Sequence, residues 1–242
     1  MGKSSQPENR PFAGKIEQIK QQHADFWSYE TAAADVKAYH DKNTTHIYPN
    51  RPKWIKAATP FTEWKGNVFA ESENALLVGN HASFDIGQYP GAPQKAGMSS
   101  VHILGIPKAG IYNGVTLDSS NVSIIDEMIG LFKQNWPKPE FQEAVLLHQE
   151  ARIETQNKAE PDSEAYEEAI NHQMELELAI DSLKVDDFTF GFHLYPDHSV
   201  GHLHMHIIAT PAEYRQYSTD AHDEKTRDAI EVRDFIRSLS QV

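Results

Sequence analysis

The sequence contains no cysteine, so disulfide bonds, thiolate metal sites and cysteine nucleophiles are all excluded. Basic residues are also few, since 22 lysines and arginines stand against 35 aspartates and glutamates, for a formal net charge of −13. Nucleic-acid polymers and anionic membrane surfaces are both bound through clustered lysine and arginine. We therefore expect neither a nucleic-acid polymer nor a membrane as a partner.

Long apolar segments are missing as well. No run approaches the 18 apolar residues that suggest a membrane-spanning helix, and the polar stretch 1–6 lacks the apolar segment of a signal peptide. The chain still has 39% hydrophobic and 10% aromatic residues over 242 positions, which is enough for a sizeable core. We expect a soluble protein of the cytoplasm or nucleus.

The chain divides into two parts by its residue pattern. Residues 1–65 combine helix formers with a proline- and tryptophan-containing stretch, and they predict a helical and irregular extension packed on the core. Residues 66–242 predict the main domain. Within it, residues 119–185 predict a long helical insertion, and residues 223–239 predict a last helix.

Strands are predicted on both sides of the helical insertion in the sequence. Short apolar runs predict strands at 75–78 and 101–106. From residue 188 the period changes to two, because phenylalanines at alternate positions are separated by small or polar residues. Residues 199–209 predict the returning strand of an antiparallel hairpin.

Three histidines in this returning strand carry the chemistry. His202, His204 and His206 alternate with Leu203 and Met205. Since side chains of a strand alternate between faces, we expect the apolar residues to enter the core and the three imidazoles to form one row, with neighbours roughly 6.7 Å apart.

Imidazole suits phosphorus chemistry at neutral pH, since its pKa lies near 6.5 and both protonation states are accessible. The central histidine can attack phosphorus and form a covalent nucleotidyl-imidazole, while its neighbours donate hydrogen bonds to the phosphoryl oxygens. Histidine pairs on strands also bind metals, so a metal-dependent enzyme is an alternative. A polar strand face and a catalytically idle nucleotide-binding protein are further alternatives.

The segment from His202 to Ile208 resembles the signature of the histidine triad (HIT) superfamily, in which three histidines alternate with apolar residues. The stretch from His102 to Lys108 is similar to a second landmark of the family, a strand ending in Ile-Pro-Lys. Phe84-Asp85-Ile86, with the following Pro90 to Pro93, resembles the loop that precedes this strand.

This resemblance implies an α+β fold, in which a central antiparallel sheet is flanked by helices and is here extended by N-terminal and inserted helices. Residues 66–242 then form a HIT-like catalytic domain. The resemblance also implies a homodimer, a small nucleotide substrate, and chemistry that needs neither a metal nor another cofactor.

The resemblance assigns roles to individual residues. His204 falls on the nucleophile, His202 and His206 fall on phosphate-contacting positions, and Ser199 falls on a residue that touches the phosphate or the leaving group.

Four further residues are expected near the substrate. Asp85 matches an acidic residue that binds ribose hydroxyls, and His102 is expected to order the strand and loop beside the site. Lys108 belongs to the second landmark. His198 stands where the phosphoramidase and dinucleoside polyphosphate hydrolase branches carry glutamine, so it bears on the choice of leaving group.

The sequence thus predicts a nucleotide hydrolase or transferase that attacks the α-phosphate of a nucleoside phosphoramidate, dinucleoside polyphosphate or nucleotide conjugate. The reaction would pass through a covalent nucleotidyl-histidine. Tyr195 and Pro196, followed by Ser199, and the long helices also resemble the scavenger mRNA-decapping branch.

Overall fold

The computed structural model describes most of the chain. The described residues are 11–41, 61, 64–82, 84, 89, 91–92, 95–157, 164–215 and 220–239.

One antiparallel sheet forms the centre of the described fold. Its strands are β1 (Val68–Glu71), β2 (Ala75–Gly79), β3 (His102–Pro107), β4 (Phe188–His193), β5 (Met205–Ala209) and β6 (Thr226–Asp228). They lie in the order β1-β2-β3-β5-β4-β6. The helices are α1 (Ile16–Trp27), α2 (Ala32–His40), α3 (Ile124–Asn135), α4 (Pro139–Asn157), α5 (Glu164–Ala179), α6 (Asp220–Lys225) and α7 (Ala229–Leu239). The predicted α+β class with a central antiparallel sheet is confirmed.

One face of the sheet packs on α3. Ile103, Met205 and Ile207 are buried on this face, as the alternation of the sequence predicts. Gly105 permits the close approach, because a Cβ at this position would come within 3.1 Å of the Met128 sulfur on α3. Because side chains of a strand alternate between its two faces, the remaining side chains of β3 and β5 lie on the face opposite α3.

The opposite face carries His102 and Leu104 of β3 and His206 of β5. Leu104 lies directly across from His206 in the strand register. Phe61 and Trp64 pack over Leu104 and its apolar neighbours on this face. This face bears the cleft described below.

The N-terminal helices pack on the loops beside the sheet. Phe26 of α1 is fully buried and makes ring contacts with Tyr112 and Tyr195. Tyr39 of α2 also contacts Tyr112. The division into an extension at 1–65 and a catalytic domain at 66–242 stays a prediction, and residues 42–60 lie outside the described part.

Two predicted elements differ from the structure. The returning strand begins at Met205 rather than at residue 199. The backbone before it bonds elsewhere, since Leu203 donates its N–H to the Ile111 carbonyl at 2.8 Å. Residues 199–204 therefore follow an irregular path beside the sheet.

The last helix is also shorter than predicted. Residues 226–228 form β6 at the edge of β4, and the helix restarts at Ala229. Asp228 caps this new start, because its carboxylate accepts the backbone N–H groups of Ile230 and Glu231.

Within the part of the chain that the structure describes, no helix has both the length and the apolar character needed to cross a bilayer.

Candidate functional site

A cleft of about 470 Å³ opens on the sheet face opposite α3. Its described lining includes six histidines: His81, His102, His193, His204, His206 and His222. It also includes two lysines, Lys95 and Lys225, and none of its described lining residues is an aspartate or glutamate. In a chain with a net charge of −13, this local composition favours an anionic ligand.

His204 stands in the cleft with a defined tautomer. Its Nδ1 lies 2.8 Å from the backbone carbonyl oxygen of His202. Since a carbonyl can only accept, Nδ1 carries the hydrogen, and the neutral ring presents the lone pair of Nε2. Burial lowers the pKa of His204 below its ordinary value, which keeps this lone pair available at neutral pH.

His206 has the opposite tautomer, set by a chain of hydrogen bonds. The backbone N–H of Met98 donates to His102 Nδ1 at 3.1 Å, so the hydrogen of the neutral His102 ring lies on Nε2. His102 Nε2 lies 2.9 Å from His206 Nδ1 and therefore donates to it. The remaining hydrogen of His206 lies on Nε2, which is buried and has no hydrogen-bond partner among the described residues.

The two rings are adjacent, with centroids 5.0 Å apart. One offers a lone pair and the other offers an unused N–H donor. Burial lowers the pKa values of His206 and of His102, the latter to about 3, so the chain of neutral rings persists at neutral pH. This pairing can bind a phosphate oxygen beside an attacking nitrogen.

His193 and His222, which lie outside the triad motif and its landmark strand, add to the cluster. The His193 ring centroid lies 4.3 Å from that of His206. Thr226 donates its hydroxyl hydrogen to the His222 carbonyl at 2.6 Å, so it accepts from His193 Nε2 at 3.0 Å. The alternation in β4 could have identified His193, because it shares the face of Gly191, which lies opposite His206.

His202 does not stand in a row with the other two triad histidines. Its Nε2 lies 3.1 Å from the Pro107 carbonyl, and its Nδ1 lies 3.0 Å from the Tyr39 hydroxyl. Its ring is absent from the described cleft lining. The expectation of one row is therefore wrong for His202, because residues 201–204 precede β5 and do not follow its alternation.

The other predicted residues are distributed unevenly. Ser199 lines the cleft and is exposed, and His102 lines it as part of the hydrogen-bond chain. His198 is fully buried behind it, with Nε2 2.8 Å from the Tyr112 hydroxyl. Lys108 is not brought to the cleft, since its ammonium bonds Glu71 and the Ser72 carbonyl. Asp85 lies outside the described residues.

The metal alternative finds no ligand set in the described part of the chain. No three histidine, aspartate or glutamate side chains there are placed to hold one metal ion together. The clustered imidazoles instead bond one another, threonine and backbone groups.

The buried histidines predict a fold that weakens in acid. Burial lowers the pKa of His102 and His198 to about 3 and that of His202 to about 4. Below pH 6.5 these imidazoles bind protons in the unfolded chain but stay neutral in the folded chain. The free energy of unfolding therefore falls as the pH drops from 6.5 towards 4. Each such group contributes a slope of about 1.4 kcal/mol per pH unit.

Urea unfolding at pH 7.5, 6.0 and 5.0 measures this slope. The variant His198→Gln should reduce it by about 1.4 kcal/mol per pH unit, because one buried titrating ring is removed. His40→Gln is the matched control, since this side chain is 62% exposed and its solvation changes little on unfolding. A slope that is the same in all three proteins would contradict the prediction.

Comparison with known proteins supports a family assignment. A family model described as "Scavenger mRNA decapping enzyme C-term binding" matches residues 131–222. No curated protein and no solved structure matches the chain significantly. The matched stretch contains α4, α5, β4, β5 and the whole triad, and the C-terminal domain of the scavenger decapping enzyme is a HIT-family domain. The motif, the antiparallel sheet and this match over residues 131–222 together support the histidine triad superfamily as the family that this chain resembles.

Proposed function

We propose that this protein is a nucleotide hydrolase or transferase that uses His204 as a nucleophile on the α-phosphorus of its substrate. The observation that carries the proposal is the pair of opposite tautomers in the cleft, a lone pair on His204 Nε2 beside a free N–H on His206 Nε2. Nucleophilic attack needs the first, and stabilisation of the charged phosphoryl oxygens needs the second.

In the first step, His204 Nε2 forms a bond to phosphorus as the bond from phosphorus to the leaving group breaks. The imidazole becomes cationic, and its Nδ1–H bond to the His202 carbonyl stabilises that charge. The leaving group departs with the electron pair of the broken bond and takes a proton from solvent or from a neighbouring group. The His206 N–H donates to a phosphoryl oxygen throughout.

In the second step, water attacks the nucleotidyl-histidine. The new phosphorus–oxygen bond replaces the phosphorus–nitrogen bond, and His204 regains its lone pair. One proton of the water is released, and a nucleoside monophosphate leaves. Ser199 lies on the cleft wall where it can contact the phosphate or the leaving group.

The two lysines of the cleft, Lys95 and Lys225, affect which leaving group is favoured. Lys225 is half-buried, and burial lowers its pKa although the charge of Asp197 acts in the opposite direction. Partial desolvation of an ammonium is unfavourable, so an anionic ligand beside it gains affinity. Together with Lys95 on the same cleft, Lys225 favours a phosphate leaving group over a neutral amine.

The experiment is a product screen in EDTA against adenosine and guanosine phosphoramidates, dinucleoside polyphosphates and cap analogues. We expect release of a nucleoside monophosphate, with a higher kcat/KM for the polyphosphates than for the phosphoramidates. Turnover that is lost in EDTA and restored by one metal would support the metal-dependent alternative. Binding of nucleotides without turnover of any member would support an idle binding protein.

The homodimer and the nucleotidyl-histidine intermediate also belong to this proposal. Sedimentation of the purified chain tests the first of these. The intact mass of protein quenched during turnover tests the second, because the adduct adds one nucleotidyl group.

A further inference from the structure

Tyr39 of α2 reaches the triad from the N-terminal part of the chain. Its side chain is buried, and its ring packs edge-on against Tyr112 with centroids 5.5 Å apart. Its hydroxyl contacts two consecutive residues, the carbonyl of Gly201 and Nδ1 of His202. A residue more than 160 positions away in sequence thus touches the segment that leads into β5.

The contact of His202 with Pro107 determines which of its ring nitrogens donates a hydrogen bond and which accepts one. Nε2 faces the Pro107 carbonyl, which can only accept, so the neutral ring carries its hydrogen on Nε2. Nδ1 is then an acceptor, and the single hydroxyl hydrogen of Tyr39 is shared between Nδ1 and the Gly201 carbonyl, which also accepts it. The ring is held on one side by the end of β3 and on the other side by α2.

The backbone of His202 connects this clamp to His204. The His202 carbonyl accepts the Nδ1–H of His204 at 2.8 Å, and this bond leaves the lone pair on His204 Nε2. Residues 201–204 precede β5 and lack the backbone hydrogen-bond ladder of a strand, so side-chain contacts help to fix their conformation. Loss of the Tyr39 hydroxyl would remove the hydrogen bond to the Gly201 carbonyl and the contact with His202 Nδ1, so that Pro107 alone would bond the His202 ring.

We propose that Tyr39 is a positioning residue, which holds Gly201 and His202 so that the His202 carbonyl orients His204. This proposal rests on the proposed function of His204, although one of its two tests does not depend on activity. It assigns to the N-terminal helices a task in the site and not only in folding.

The first test is the variant Tyr39→Phe, which keeps the ring and removes the hydroxyl. We expect kcat to fall on the order of 10-fold, because a small loss of nucleophile alignment is costly, while KM stays within about 2-fold of wild type. Tyr29→Phe is the matched control. Its hydroxyl lies 2.6 Å from that of Tyr195, in the same part of the chain but away from the triad, so kcat should remain near wild type.

Thermal unfolding of both variants separates positioning from folding. A loss of kcat in Tyr39→Phe that is matched by Tyr29→Phe, or that follows the fall in melting temperature, would overturn the proposal. So would a wild-type kcat in a folded Tyr39→Phe protein.

The second test measures the imidazole nitrogens directly, by NMR of histidine labelled with ¹⁵N and without substrate. In the wild-type protein we expect His202 to carry its hydrogen on Nε2 and His204 to carry its hydrogen on Nδ1. Tyr39→Phe should shift His202 Nδ1 towards the value of an unbonded nitrogen and should populate both tautomers of His204. Unchanged His202 and His204 signals would overturn the proposal, whereas failure of the whole substrate panel would overturn only the function proposed for His204.

Discussion

Replacing His204 with alanine should lower kcat by about 10⁴-fold or more, because the reaction loses its covalent nucleophile and not merely a contact. The fold should survive, since the His204 side chain is only partly buried and lies at the cleft rather than in the core. The measurement is single-turnover release of nucleoside monophosphate from the best substrate of the panel, together with the melting temperature. A folded His204→Ala protein that retains a near-normal rate would eliminate the covalent mechanism.

The variant His204→Gly sharpens this test. Added imidazole can occupy the vacated volume and supply the missing nitrogen, so we expect partial recovery of turnover that saturates with imidazole concentration. The His202 carbonyl remains available to orient the added ring. Equal imidazole added to His204→Ala should restore less, because the methyl group occupies part of the space.

The chemistry of the triad was the part most accessible from the sequence. The alternation of the triad histidines with apolar residues predicted burial of Leu203 and Met205, and both are buried, although His202 before β5 is buried as well. A motif of this kind is local, so its residue types and spacing can be read without knowing the fold. The α+β class is confirmed, and the family match over residues 131–222 supports the superfamily.

Contacts between distant segments were not accessible in this way. His222 and Tyr39 meet the site from opposite ends of the chain, and neither lies in a pattern that points to His206 or His202. The strand β6 lies within the range 223–239 that the sequence predicts as one helix. It could not be recognised there, because a three-residue edge strand has too few positions to show alternation. Lys108 is the opposite case. It belongs to a landmark motif of the sequence, but its ammonium bonds Glu71 and does not line the cleft.

The second large effect is expected at His206. The Met98 N–H, His102 and His206 form a hydrogen-bond chain in which each donor determines the tautomer of the next ring. Its end is an N–H on His206 Nε2 that is buried and lacks a partner among the described residues. A buried donor without a partner is unfavourable in the free protein, and a phosphoryl oxygen placed beside His204 would satisfy it. The charge on that oxygen grows as the phosphorus is attacked, so the bond strengthens in the transition state.

His206→Ala should therefore lower kcat by about 10²- to 10³-fold, the range seen when one donor to a developing oxyanion is removed. KM should change much less, because the bond gains most of its strength only in the transition state. His206→Gln is the informative partner variant, since its amide N–H can reach part of the same space and should recover some of the loss. The two variants need steady-state kinetics on the same substrate, with melting temperatures to confirm folding. A His206→Ala protein within about 3-fold of the wild-type kcat would show that the free N–H does not serve the phosphoryl group, and the function of the chain from Met98 to His206 would then be structural.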